Sequence, residues 1–290
     1  MATVAQWVEG ARPRTLPAAI SPVLLGTGAA IHADGEVWWK AVLALVVALT
    51  LQIGVNYAND YSDGIRGTDD VRAGPLRLVG SKVASPASVK TAAFASFGVG
   101  AVAGLILAAT SGWWLIAVGA VAIVAAWFYT GGAQPYGYNA LGEVSVFLFF
   151  GVVAVMGTTY VQLGEFTWPS VAAAVGIGAV ICAILVANNL RDIPTDTASG
   201  KRTLAVLLGD TNTRRLYGAL LRASLLALVW LAILEPWTLL GLVAAAPAIR
   251  AYRPVRAGAV GPALIPVLRD TGLTALAYAI GVTVGLALGA

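Results

Sequence analysis

Nine stretches of this chain are apolar for long enough to cross a lipid bilayer as helices, and that leaves few folds open to it. They run approximately over residues 15–31, 39–58, 89–109, 112–130, 143–162, 169–190, 215–234, 236–250 and 270–288, the eighth being the shortest. A helix needs about 20 predominantly apolar residues to span the hydrocarbon core, where every backbone polar group must find its partner within the segment. The runs are continuous rather than alternating, which argues against a membrane β-barrel. Charged residues make up only 11% of the 290, against roughly 25% in soluble domains. The expectation is an all-α, polytopic membrane bundle of about nine transmembrane helices, forming one domain over residues 1–290. The first stretch lacks a signal-type cleavage site and reads as a retained helix.

Basic residues give the topology. Arg12 and Arg14 precede the first stretch, and Arg66, Arg72, Arg77, Lys82 and Lys90 lie between the second and third. Arg191, Lys201, Arg202, Arg214 and Arg215 lie between the sixth and seventh, and Arg250, Arg253, Arg256 and Arg269 between the eighth and ninth. All of these fall on one side of a nine-span arrangement, while Lys40 falls opposite and Arg222 inside the seventh stretch. Such an excess marks the cytoplasmic face, so the N-terminus is expected inside a cell membrane and the C-terminus outside. The net charge of +4 is a topology signal, and no aromatic–basic interleaving points to nucleic acid.

The donor atoms on offer narrow the chemistry further. Cys182 is the one cysteine and His32 the one histidine, so thiolate or histidine metal sites and histidine catalysis are not expected. Carboxylates, amides and hydroxyls remain, and these suit a hard ion such as Mg2+.

The carboxylates are concentrated in two runs on the basic side. The first reads Asn56-x-x-Asn59-Asp60-x-x-Asp63 and continues to Asp69 and Asp70; the second reads NNLRDIPTDTASGKRTLAV, with Asn188, Asn189, Asp192 and Asp196. Gln52, Asn56, Asp60 and Asp63 recur at helical spacing and share one face, as do Asn188 and Asp192 until Pro194 disfavours further helix. Carboxylates at a helix C-terminus oppose the macrodipole, and two such clusters would repel unless a cation lay between them. They read as metal ligands in two loops. Arg66, Arg72, Arg77, Lys82, Lys201 and Arg202 stand nearby, and metal flanked by such cations suits a diphosphate. At a membrane surface, that diphosphate is expected to belong to a lipid.

These residues carry a resemblance. ARPRTLPAAISPVLLG at 11–26, NDYSDGIRGTDD at 59–70, RAGPLRLV at 72–79, YTGGAQPYGYNALGE at 129–143, NNLRDIPTDTASGKRTLAV at 188–206 and PVLRDTG at 266–272 resemble the UbiA superfamily of intramembrane prenyltransferases. Within it they are most similar to the 1,4-dihydroxy-2-naphthoate polyprenyltransferases of menaquinone biosynthesis. Two departures from the broad pattern stand out. Gly67 occupies the third acidic position, with Asp69 the next acid, and no lysine follows Tyr129 in the loop after the fourth stretch. Both departures fit the naphthoate branch.

The resemblance implies that Asn59, Asp60, Asp63, Asp192 and Asp196 hold Mg2+, with Asp69 binding directly or through water. A polyprenyl diphosphate would ionise against metal and the basic residues named above, and the naphthoate ring would attack. Asp60, Asp63, Asp192, Asp196, Asn188 and Tyr138 are the expected catalytic residues. Tyr129, Tyr136 or Tyr138 would shield the allylic cation or anchor the interface. Arg12 or Arg14 would meet the acceptor carboxylate or serve topology alone, and Asn188 and Asn189 would position a ring hydroxyl, with Tyr129 beside them. Glu143 would orient a base or, as the simpler role, cap a helix. A homo-oligomer is compatible with all of this. The rival readings are a UbiA-type enzyme with another acceptor and a membrane cation or lipid-phosphate transporter.

Overall fold

Helix starts fall where the sequence supplies caps. Ser85 accepts from Ser88 N ahead of Pro86, Thr167 and Ser170 form a reciprocal capping box ahead of Trp168, and Thr203 accepts from Val206 N ahead of Leu204. Each satisfies an amide that would otherwise lack a partner. The structure, a computed structural model, describes residues 2–67 and 76–290. Among them all regular structure is helical: α1 Val4–Gly10, α2 Pro17–His32, α3 Trp38–Arg66, α4 Pro86–Ser111, α5 Leu115–Phe128, α6 Gly142–Val146, α7 Gly157–Leu163, α8 Trp168–Ala198, α9 Leu204–Leu234, α10 Ala245–Arg256 and α11 Ile265–Leu288. A π-helix over Phe147–Met156 joins α6 to α7, so that Gly142–Leu163 crosses as one piece.

Six described helical pieces are long and apolar enough to cross a membrane, and the pair Val4–Thr15 and Pro17–His32, bent by 51°, makes a seventh. The sequence marks nine stretches. Each is helical here, but α5 has only 14 residues, and residues 236–256 are split into a 3-10 segment, Pro236–Ala244, followed by α10.

Burial separates a hub from a rim. In the most apolar part of α8, 78% of the residues are buried inside the protein, against 33% for α3, α4 and α9, so α8 is the axis and the others turn a face to lipid. Its neighbours pack on small residues, with Ala172, Ala173, Ala174, Ile177 and Val180 in contact with Leu25, Val155, Ala275 and Val282. Between apolar helices in lipid, close van der Waals approach supplies the association energy. The π-helix crosses α8 with little room to spare. A Cβ built on Gly151 would stand 2.8 Å from Ala174 O and 2.9 Å from Gly178 Cα.

Two expectations about the acidic runs change. The first part of the run after the second stretch is helical, since α3 continues to Arg66 and ends on Gly67, whose φ of 72° suits a residue without Cβ. Likewise α8 does not stop at Pro194 but continues to Ala198. Proline removes one backbone donor, yet the helix carries on with Pro194 on its exposed side, and Asp192 and Asp196 fall at i,i+4 on one face.

Overpacking this close crossing is expected to cost stability. Gly151→Ala should lower the detergent-solubilised protein's thermal midpoint, by the equivalent of about 1–3 kcal/mol. Gly157→Ala, whose Cβ meets nothing within 4 Å, should leave it unchanged. Equal midpoints for the two variants would refute this account of the crossing.

Candidate active site

Where α2, α3, α5, the π-helix and α8 draw apart, they enclose a cavity of about 2120 Å3, well above the roughly 300–1,000 Å3 of ordinary small-molecule pockets. One end is charged, bounded by Asp63, Arg77, Asp192, Asp196 and Lys201. From there it runs between helices to Leu107, Leu115 and Val161. That far corner is where α4 meets α7, through the Ser111 Oγ–Val161 O hydrogen bond of 2.9 Å.

Asp63 is the focus of the charged end. It is 3% exposed and receives the Tyr138 hydroxyl as donor. Arg77 Nη2 stands 3.8 Å from its Oδ2 and Lys201 Nζ 3.5 Å from its Oδ1. Burial, and then the Asp63 charge, push the Tyr138 hydroxyl up from the ordinary phenol range, so it stays protonated and remains a donor. Lys201 also lies 4.4 Å from the centre of the Tyr138 ring, a cation–π contact. Local folding brings these groups in. Lys201 N donates to Asp196 O after α8, and Arg202 N donates to Tyr138 O, docking that turn onto the 3-10 turn Tyr136–Tyr138.

Asp192, 4% exposed, is gripped side-on by Arg191, with Nε to Oδ1 at 2.6 Å and Nη2 to Oδ2 at 2.8 Å. The same guanidinium donates to Asn188 Oδ1 at 2.9 Å. Asn189 Nδ2 donates instead to Glu143 Oε1 at 3.0 Å. On α3, Asn59 Oδ1 accepts from Thr130 Oγ1 at 2.7 Å. Gln52 and Asn56 both donate to Thr15 Oγ1 at 3.0 Å, and Asn56 also to Ala11 O. They thereby hold the turn that carries Arg12 and Arg14 against the cavity wall. Tyr129, Lys82, Asn188 and Asn189 also face the cavity.

Several sequence-assigned residues are placed elsewhere. Asp60, expected as a metal ligand and catalytic group, is absent from the cavity wall. Its two oxygens accept from Leu78 N at 2.6 Å and Val79 N at 3.1 Å, so it anchors the segment that carries Arg77. Arg66, expected at the diphosphate, donates to the carbonyls of Thr130 and Gly132 and clasps the end of α5. Arg202 is exposed and contributes its backbone N–H. Asp69, Asp70 and Arg72 lie outside the described residues. Glu143 sits in the first turn of α6, where its carboxylate accepts its own backbone N–H, and the N-cap, Leu141, supplies no side-chain bond. Sequence reasoning missed Arg191 as a site residue, reading it as a topology marker. Its adjacency to Asp192 was the available signal.

The charged end fits a hard divalent ion. Every donor there is oxygen, and Asp63, Asp192 and Asp196 all face the cavity from nearly full burial. Among the described residues no three acidic side chains converge tightly enough to enclose an ion alone. That suits Mg2+, which binds through one or two carboxylates and completes its shell with water and substrate phosphate.

Comparison with known proteins bears on the family and the fold. The pattern of the UbiA prenyltransferase family matches residues 19–259. The 1,4-dihydroxy-2-naphthoate octaprenyltransferase of Mycobacterium tuberculosis H37Rv is 60% identical over 289 residues, covering 100% of this chain and 99% of that protein. The Escherichia coli K12 protein of the same name is 39% identical, over 77% of this chain and 74% of its own length. The solved structure of a UbiA homolog from Archaeoglobus fulgidus bound to DMAPP and Mg2+ superposes with a TM-score of 0.69 at 14% identity, covering 96% of this chain and 99% of that one. The chain therefore belongs to the UbiA prenyltransferase family.

Proposed function

We propose that the protein transfers a polyprenyl group from polyprenyl diphosphate to 1,4-dihydroxy-2-naphthoate, with loss of diphosphate and CO2, giving a demethylmenaquinol. The observation that carries this reading is the single cavity, which joins a charged end built for a diphosphate to a long apolar passage built for its tail. The high identity to naphthoate octaprenyltransferases supports the choice of acceptor. We read residues 1–290 as one membrane domain of nine spans, α5 and the broken segment 236–256 included. The charged end then lies on the cytoplasmic side, where the basic residues concentrate.

In this mechanism Asp63, Asp192 and Asp196, with Asn59, would hold Mg2+, and Arg77, Lys82 and Lys201 would meet the outer diphosphate oxygens. Bound Mg2+ supplies Lewis-acid stabilisation of the charge that develops on the leaving group. Arg191 and Tyr138 keep Asp192 and Asp63 oriented. The allylic C–O bond breaks with its electron pair leaving on the diphosphate, and the naphthoate ring attacks the resulting cation. Departure of the carboxyl group as CO2 then returns a bonding pair to the ring. Tyr129 lines the wall near this point with its π system available to the cation. Arg12 and Arg14 offer guanidinium partners to the acceptor carboxylate.

The direct test is turnover in detergent or liposomes of dihydroxynaphthoate with a polyprenyl diphosphate. Mg2+-dependent release of CO2 together with prenylated product is expected, and chelation should abolish both. Diphosphate binding without consumption of the naphthoate would mean a different acceptor.

Substitutions separate the two aspartates of α3. Asp63→Ala and Asp192→Ala should each reduce turnover by at least about 100-fold while the protein stays folded. Asp60→Ala should chiefly loosen the 76–84 segment, read as faster proteolysis there and a lower thermal midpoint. Near-normal turnover in the Asp63 or Asp192 variant would defeat the site assignment.

A further inference from the structure

Glu143 serves more than the helix end at which it sits. A carboxylate in the first turn of a helix interacts favourably with the macrodipole, and Glu143, only 9% exposed, has a second partner. Its Oε1 accepts Asn189 Nδ2 at 3.0 Å. Asn189 lines the cavity and Glu143 does not, so the carboxylate reaches the cavity only through the amide.

The pairing sets the amide's orientation: Asn189 turns its NH2 group towards Glu143 Oε1, which leaves its carbonyl oxygen for the cavity. Its neighbour Asn188 is committed differently, with its own carbonyl oxygen held by Arg191 and its amide nitrogen 3.5 Å from Asp192 Oδ2. Depth matters as well. Asn189 precedes Asp192 by three residues and Asp196 by seven on one face of α8, which places it about 4.5 Å further into the bundle than Asp192. In the prenyl-transfer reading, that is the level at which the donor's first carbon leaves the diphosphate and the acceptor ring must stand.

We propose that Glu143 is a positioning residue for the acceptor: it locks Asn189 with the amide oxygen facing the cavity, where that oxygen accepts a hydrogen bond from a ring hydroxyl of an aromatic diol. The inference rests on the prenyl-transfer reading. The bond holds the ring above the donor carbon and favours electron release from the hydroxyl into the ring. An acceptor whose hydroxyl is methylated leaves the amide oxygen unpaired, and sites built to bind a hydroxyl discriminate strongly on that ground.

A double-mutant cycle tests it, using Glu143→Ala, Asn189→Ala, the double variant and Glu143→Gln, each assayed with dihydroxynaphthoate and its monomethyl ethers. Glu143→Ala should lower kcat/KM for the acceptor by about 10- to 100-fold while KM for the prenyl diphosphate stays within about twofold. Preference for the free hydroxyl over the ether should fall towards one, and the double variant should be no worse than Asn189→Ala alone. Glu143→Gln, similar in shape and still able to accept, should fall between wild type and Glu143→Ala. It carries the same cycle if the alanine variant does not accumulate. Additive losses, equal losses towards donor and acceptor, or unchanged ether discrimination would each overturn the proposal. Wild-type protein that leaves dihydroxynaphthoate unconsumed would instead overturn the reading beneath it.

Discussion

The rest of the site depends on how three other parts of the chain surround Asp63, a carboxylate that is only 3% exposed. Removing a carboxylate from water costs several kcal/mol unless opposite charge and hydrogen bonds replace the lost hydration. Here Arg77 comes from the segment after α3, Lys201 from the turn after α8, and Tyr138 from the turn after α5. Three parts of the chain, remote in sequence, must therefore meet at one carboxylate. Asp60 serves the same end from one helical turn away, because its grip on the amides of Leu78 and Val79 fixes the segment from which Arg77 reaches in.

A large void behind such a site would be expensive in a soluble core, where lost packing is costly. In a bilayer the lipid chains are as apolar as the helix faces, so no hydrophobic force draws the helices together to close it. Rigidity then has to come from one well-packed element. The buried α8 supplies it, carrying Asn188, Asn189, Arg191, Asp192 and Asp196 on a helix whose apolar length is mostly enclosed by other helices. The π-helix packs on α8 through Gly151 and Gly178 and presents Phe149, Phe150 and Val153 to the passage. The buried α8 thus fixes one side of the charged end, Asn59 and Asp63 of α3 the other, and the remaining walls are mainly apolar.

Much of this was legible in the sequence, and what was not has physical causes. The all-helical membrane fold follows from apolar run length alone, and the two acidic runs contain the three aspartates, Asp63, Asp192 and Asp196, that line the cavity. Helix ends were the weak point. Hydropathy fails where a helix leaves the membrane, so α3 and α8 run on past the predicted limits, and Pro194 proved tolerable on the exposed side of a helix end. Residue pattern also could not separate Asp60 from Asp63, although they lie three residues apart on neighbouring faces. What separates them is which face meets the Leu78–Val79 amides, a tertiary fact. Arg66 failed as a diphosphate ligand for a similar reason, since the carbonyls that hold it come from the end of α5. The Glu143–Asn189 pair joins residues 46 apart in sequence, and no local spacing announces it.

The polarity of the cavity bears on whether such a protein converts its ligand or carries it across. A carrier must solvate its cargo at both faces, and ion sites in carriers commonly lie near the midplane at interrupted helices. Here the acids and cations of the cavity gather at one end, while the corner near Leu107, Leu115 and Val161 is apolar. An amphiphile in this space has one low-energy orientation, with its charged head at Asp63 and Asp192 and its tail between the helices. Moving the head along the apolar passage would strip the diphosphate of its partners without supplying replacements, a penalty that rises with each charge moved. Holding a leaving group still in that way impedes transport and serves bond cleavage, because stabilisation fixed at one point acts on the charge that develops there.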